Sequence, residues 1–122
     1  MACILVCDDS ILARKQLKDA VVEIIPDVEF MEARNGQEAV DLFLERQPDL
    51  AFFDIVMPMK DGVQAVSEIC AKYPKAQIIM VSSLGTQQQL KNAIAAGAKD
   101  FLQKPFDKAQ IKSILEKRFM GE

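Results

Sequence analysis

Asp8-Asp9, Asp54, Ser82 and Lys104-Pro105 each close an apolar run of this chain. Each run reads as a strand, with a polar side chain at its C-terminal end. In an open parallel sheet those ends line one crevice, so residues far apart in sequence meet there. The set holds three carboxylates, one hydroxyl and one ammonium. Hard oxygen donors favour Mg²⁺, which keeps several waters and takes one or two carboxylates plus phosphate oxygens. An activated aspartate can carry a phosphoryl group, and phosphoryl transfer depends chiefly on positioning and charge stabilisation. The chemistry that fits is Mg²⁺-dependent acceptance of a phosphoryl group on Asp54. Of its oxygens, one would face Mg²⁺, one the Lys104 ammonium, and one the Ser82 hydroxyl and loop N–H groups. Ser83 competes with Ser82, which is preferred because it directly follows Val81. Taken singly, each aspartate is as well explained by a helix cap or a solvated loop, Lys104 by a surface position and Ser82 by a turn. Their shared place at strand ends carries the reading.

The elements that must position them alternate strand and helix five times. Ile4-Leu5-Val6-Cys7, Leu50-Ala51-Phe52-Phe53 and Ile78-Ile79-Met80-Val81 are unbroken apolar runs, as expected of strands buried on both faces of a parallel sheet. The run Val28-Glu29-Phe30-Met31-Glu32 carries charge and the run around Phe101-Leu102 is short, so these two predict edge strands. The order 2-1-3-4-5 places the first, third and fourth strands at the centre. The fold class is therefore α/β, a doubly wound five-stranded parallel sheet. Helix starts show as Asn35/Glu38, Asp61/Gln64, Thr86/Gln89 and Asp107/Gln110, each spaced as a capping box. Apolar residues at helical spacing follow, for example Leu17, Val21 and Ile24, or Val63, Val66, Ile69 and Tyr73. Gly97 reads as a helix stop, and Asn35-Gly36 as a strand-to-helix turn rather than a hairpin.

A length of 122 residues suits one domain with a real core. A net charge of −3 and a pI near 5.0 argue against a nucleic-acid surface. No apolar run reaches the roughly 20 residues that span a bilayer, and no signal-peptide pattern precedes the first strand. Neither nucleic acid nor membrane is an expected partner. Cys3, Cys7 and Cys70 lack framework spacing and read as reduced, cytoplasmic thiols. Cys3 and Cys7, four apart on one strand, face the same side. With no histidine and no CxxC in the chain, core packing outweighs a metal pair. The missing histidine also excludes any Ser-His-Asp or Cys-His mechanism within this chain.

Val6-Cys7-Asp8-Asp9-Ser10, Asp54-Ile55-Val56-Met57-Pro58-Met59-Lys60-Asp61-Gly62, Val81-Ser82-Ser83 and Lys104-Pro105-Phe106 together resemble a response-regulator receiver domain of the CheY-like family, whose sheet is flavodoxin-like. The resemblance runs from end to end, and its strongest pieces are Asp-x-x-Met-Pro-x-x-Asp-Gly and Lys-Pro-Phe. It implies phosphorylation of Asp54 by a sensor histidine kinase. It implies Mg²⁺ held by Asp8, Asp9, Asp54 and the backbone carbonyl of Val56, Lys104 on the phosphoryl group, and a cis Lys104-Pro105 bond. Ser82 matches the family's switch hydroxyl and Phe101 an aromatic switch position. Many chemotaxis members carry tyrosine there, so hydrogen-bonded signalling through this ring is not expected of phenylalanine, and plain edge-strand packing competes with a switch role. The downstream protein target would meet the helix 4–strand 5–helix 5 face, including Lys91, Lys99, Phe101, Gln103 and Lys108, or those residues are an ordinary solvated surface. Val56 and Leu84 match positions that govern water attack on the acyl phosphate. Both are apolar, which predicts a long-lived phosphoryl group unless they merely pack beside the site.

The expectation is a single receiver domain over residues 1–122 with no output domain, cytoplasmic, signalling by binding a partner, with self-catalysed phosphoryl transfer as its only catalysis. The stretch 95–101 resembles chemotaxis members, while a phosphorelay shuttle or a receiver cut from a longer regulator would look the same. Three rivals are weighed by residues. A phosphatase of the haloacid-dehalogenase type needs an acid where Val56 stands. A flavodoxin-like cofactor binder needs a Gly/Ser/Thr-rich loop where Asp8-Asp9 stand. A non-phosphorylated interaction module has no use for the intact acceptor, acid pair and lysine.

Overall fold

A computed structural model of the chain describes residues 2–83 and 85–120. Five strands and five helices alternate: β1 (Cys3–Cys7), α1 (Ile11–Ile24), β2 (Glu29–Ala33), α2 (Gly36–Arg46), β3 (Leu50–Asp54), α3 (Gly62–Lys72), β4 (Ile78–Ser82), α4 (Gln87–Ala96), β5 (Asp100–Gln103) and α5 (Lys108–Leu115). A π-helical turn, Glu116–Met120, continues α5. The sheet is parallel throughout, in the order β2-β1-β3-β4-β5. Both charged or short strands lie at its edges, as expected. The second strand begins one residue later than the sequence pattern suggested, at Glu29, and includes Ala33.

Residue alternation along each strand divides the core into two. Leu5 and Cys7, Ala51 and Phe53, and Ile78 and Met80 face one side, where residues of α2, α3 and α4 cover them. Ile4 and Val6, Leu50 and Phe52, and Ile79 and Val81 face the other, beneath α1 and α5. Because both faces are covered, the central strands carry no polar residue until their C-terminal ends. Cys7 and Cys70 are buried and Cys3 is partly so, and all three are free thiols.

The helix starts follow the sequence signals with two exceptions. Asp61/Gln64 and Asp107/Gln110 form complete capping boxes. Asn35 accepts the Glu38 N–H at 2.9 Å, but the Glu38 carboxylate turns to the N–H of Arg34 rather than that of Asn35. The guanidinium of Arg34 also reaches Glu38, and this ion pair draws the side chain one residue back. Thr86 makes no side-chain cap at all. It is buried, and its hydroxyl donates to the Ser83 carbonyl at 2.7 Å and accepts the Ser83 N–H at 3.1 Å. Gly97 ends α4 at φ 130°, as a stop residue should.

Gly62 brings α3 directly behind the end of β3. Its N–H donates to the Ile55 carbonyl at 2.8 Å. A Cβ on Gly62 would stand 2.5 Å from the Asp54 carbonyl oxygen and 2.9 Å from Ile55 Cα, where only backbone could yield. Gly62→Ala is therefore expected to lower stability by about 1–3 kcal/mol, the range for overpacking a close contact. Urea denaturation measures it, and a wild-type midpoint would contradict the close approach.

Candidate functional site

The crevice lies at the C-terminal ends of β1, β3, β4 and β5. β1 and β3 are neighbours whose helices leave to opposite faces of the sheet, so their ends flank the point where the strand order reverses. Asp8 follows β1 and Asp54 ends β3. Carboxylate oxygens of Asp8, Asp9 and Asp54 all lie within 4.8 Å of one another. Asp8 is buried, Asp9 exposed, and the Asp54 side chain 13% exposed. Lys104 reaches in from the end of β5. Its ammonium stands 3.2 Å from Asp8 Oδ2 and 3.7 Å from Asp54 Oδ2. The backbone N–H of Lys104 donates to the Ser82 carbonyl at 2.8 Å, which ties its position to β4. The Lys104-Pro105 peptide bond is cis.

Burial pushes the Asp54 carboxyl up to about 6, and the neighbouring Asp8 charge adds to the rise. The Lys104 ammonium and the N–H groups of Val56 and Ile55 pull it back only in part. Three clustered carboxylates facing a single ammonium leave negative charge uncompensated. A donor set made only of hard carboxylate oxygens fits Mg²⁺. Asp8, Asp9 and Asp54 are the side chains that would hold it.

The remaining expected residues divide. Val56 lies in the loop after β3, two residues beyond Asp54, and is 60% exposed. Leu84 lies outside the described residues. Ser82 is buried, and its hydroxyl donates to the Leu102 carbonyl at 3.3 Å. That oxygen is directed at β5, not into the acidic cluster. Phe101 pairs in register with Met80 and leaves 48% of its surface exposed, so the ring is not locked into the core. Two lysines assigned to the same face from sequence have partners within the chain. The Lys99 ammonium donates to the carbonyls of Pro74 and Gly97, and that of Lys108 pairs with Glu23 on α1. Lys99 is half-buried by its contacts, whereas Lys108 stays 71% exposed in its ion pair and remains on the surface.

Arg14 was not singled out in the sequence. It is buried on α1 and donates from Nη1 to the Asp8 carbonyl at 2.6 Å. The available signal was its spacing: Arg14, Leu17 and Val21 fall on one helical stripe, so the stripe that enters the core begins with a charge.

The sequence matches the family described as "Response regulator receiver domain" over residues 4–116. It is 41% identical over 117 residues to "Chemotaxis protein CheY" of Listeria monocytogenes, covering 93% of this chain and 95% of that protein. It is 40% identical over 114 residues to "Chemotaxis protein CheY" of Thermotoga maritima, covering 93% and 94%. The receiver domain of NtrX from Brucella abortus superposes with a TM-score of 0.87 at 27% identity, covering 98% of this chain and 99% of that one. The chain belongs to the response-regulator receiver family. Such domains are signalling modules of two-component systems, and among the described residues no helix is long and apolar enough to cross a membrane.

The raised Asp54 carboxyl has a consequence for stability. Its folded value of about 6 exceeds its ordinary 3.8. The unfolded chain therefore ionises this group more easily, and stability present below the ordinary value is lost as pH rises through the folded one. In chelator, Asp54→Asn is expected to raise the melting temperature by a few degrees near ~pH 8, with the gain vanishing near ~pH 4. Thermal unfolding at both pH values measures it. A variant less stable than wild type at the higher pH would contradict the assignment.

Proposed function

We propose that this chain is a stand-alone receiver that accepts a phosphoryl group on Asp54 from a sensor histidine kinase and passes the signal to a protein partner. The observation that carries the reading is the Asp54 carboxylate at the mouth of β3, 3.7 Å from the Lys104 ammonium and within the cluster formed with Asp8 and Asp9. The relatives named as chemotaxis proteins support a role in chemotaxis, and the free thiols of Cys3, Cys7 and Cys70 suit the reducing cytoplasm. Residues 1–122 act as one receiver unit.

In the transfer, an Asp54 carboxylate oxygen attacks the phosphorus of a phosphohistidine. The P–N bond breaks as the P–O bond forms, and the imidazole leaves with the electron pair and takes up a proton. Asp8, Asp9, Asp54 and the Val56 carbonyl would hold Mg²⁺, which would compensate charge on the phosphoryl oxygens. Lys104 neutralises a second oxygen, and in the resting chain its contact with Asp8 keeps it poised at the site. Ser82 donates to a third oxygen after giving up its bond to Leu102. That exchange links the phosphoryl group to β5 and thereby to Phe101. A domain of this kind shifts between two pre-existing arrangements rather than building a new one. The face of α4, β5 and α5 is the output surface, with Lys91, Phe101, Gln103 and Lys108 as its exposed side chains.

The test is transfer from a histidine kinase carrying labelled phosphate. Wild type should take up one label in the presence of Mg²⁺ and none in chelator. Asp54→Asn should take up none, and Lys104→Ala should slow transfer by about 10²-fold or more, in line with loss of a charge-stabilising group. Label on the Asn variant would place the acceptor elsewhere. The label should also be long-lived once the kinase is removed, because Val56, two residues beyond Asp54, is apolar and cannot orient water. Loss within seconds without a phosphatase would contradict that role for Val56.

A further inference from the structure

Arg14 is the one buried cation in the described core, and the transfer chemistry leaves it without a role. Burying a guanidinium is costly unless its donors are satisfied. Here Nη1 donates to the Asp8 carbonyl at 2.6 Å and Nε donates to Glu32 Oε1 at 2.9 Å. The second Glu32 oxygen accepts from the Lys18 ammonium at 2.8 Å. Glu32 lies on β2, and its neighbour Ala33 accepts the Asp8 N–H at 3.1 Å. The end of β2 thus holds both backbone polar groups of Asp8, one directly and one through Arg14. The carboxylate of Asp8 is fixed on its other side, where Oδ1 accepts the Ser10 N–H at 2.9 Å and Oδ2 faces Lys104.

We propose that Arg14 and Glu32 form a positioning pair that fixes the Asp8 backbone so that its carboxylate meets those of Asp9 and Asp54 in a geometry suited to a divalent cation. The proposal rests on the reading of those three aspartates as a cation site. Arg14 touches neither the cation nor the phosphoryl group. Its planar fork reaches two acceptors on two elements at once, which a lysine ammonium cannot reproduce. Without it, the Asp8 carbonyl loses its partner at the turn that aims the carboxylate. Groups that hold a metal ligand in place typically change affinity by roughly 10- to 100-fold when removed.

The test is Mn²⁺ affinity, followed by electron paramagnetic resonance of the free ion. It compares wild type, Arg14→Gln, Glu32→Gln and the packing control Val21→Ala, which alters the same buried stripe of α1. Arg14→Gln is expected to weaken Mn²⁺ binding by about tenfold or more. Glu32→Gln, at an exposed position that leaves the core intact, should weaken it severalfold, and Val21→Ala should not change it. Wild-type affinity in Arg14→Gln or, if that variant does not fold, in Glu32→Gln would overturn the proposal. So would an equal loss in Val21→Ala, which would mark general loosening of α1. Absence of Mn²⁺ binding by the wild type would instead overturn the cation site itself.

Discussion

Like charges on adjacent strands are the constraint around which this molecule is built. Asp8 and Asp54 sit at the ends of β1 and β3, which pair in register through Cys7 and Phe53. The sheet therefore forces two carboxylates together, and the turn after β1 adds Asp9. Burial makes the repulsion worse and holds Asp54 well above its ordinary range. One ammonium, Lys104, opposes this from β5. A site in that electrostatic state favours a divalent cation, whose positive charge the resting cluster lacks. Among the described residues, no buried side-chain nitrogen or oxygen is left without a hydrogen bond.

The scaffold tolerates this because the cost is concentrated at one end of an otherwise apolar sheet. Phe52, Phe53, Ile79 and Met80 are fully buried, and helices on both faces remove their strands from water. Rigidity there lets the strand ends act as fixed mounts. Gly62 allows α3 to begin against the Asp54 backbone, and Arg14 ties the Asp8 backbone to β2 through Glu32. The two edge strands have different duties. β2 is bound into the acidic end of the site. β5 carries the exposed Phe101 and receives the Ser82 hydroxyl at Leu102, so it is the strand best placed to register a change at β4.

Much of this was legible in the chain. Unbroken apolar runs ending in aspartate, serine and lysine specify strands buried on both faces with their polar residues in one crevice, and the structure has that sheet in the expected order. Asp61/Gln64 and Asp107/Gln110 are local signals and formed as local signals should. The misses are of another kind. Thr86 has the right spacing for a capping box, but it is buried and satisfies the Ser83 backbone instead. Lys99 finds a carbonyl partner at Pro74, far back along the chain, which no local pattern encodes. Arg14 gave a signal, a charge on an apolar helical stripe. Its partner Glu32 lies on another element, and only the packing of α1 against β2 joins them. Sequence reveals side chains whose role follows from spacing. It hides those whose role follows from a tertiary neighbour.

The central claim is that the clustered carboxylates form a cation-dependent phosphoryl acceptor at Asp54. Intact mass after incubation with acetyl phosphate tests it most directly, with and without Mg²⁺ and beside Asp54→Asn. The account predicts a single phosphoryl adduct on the wild type that needs Mg²⁺ and is missing from the variant. An unmodified wild-type mass under every condition, or an adduct that persists in Asp54→Asn, would contradict it.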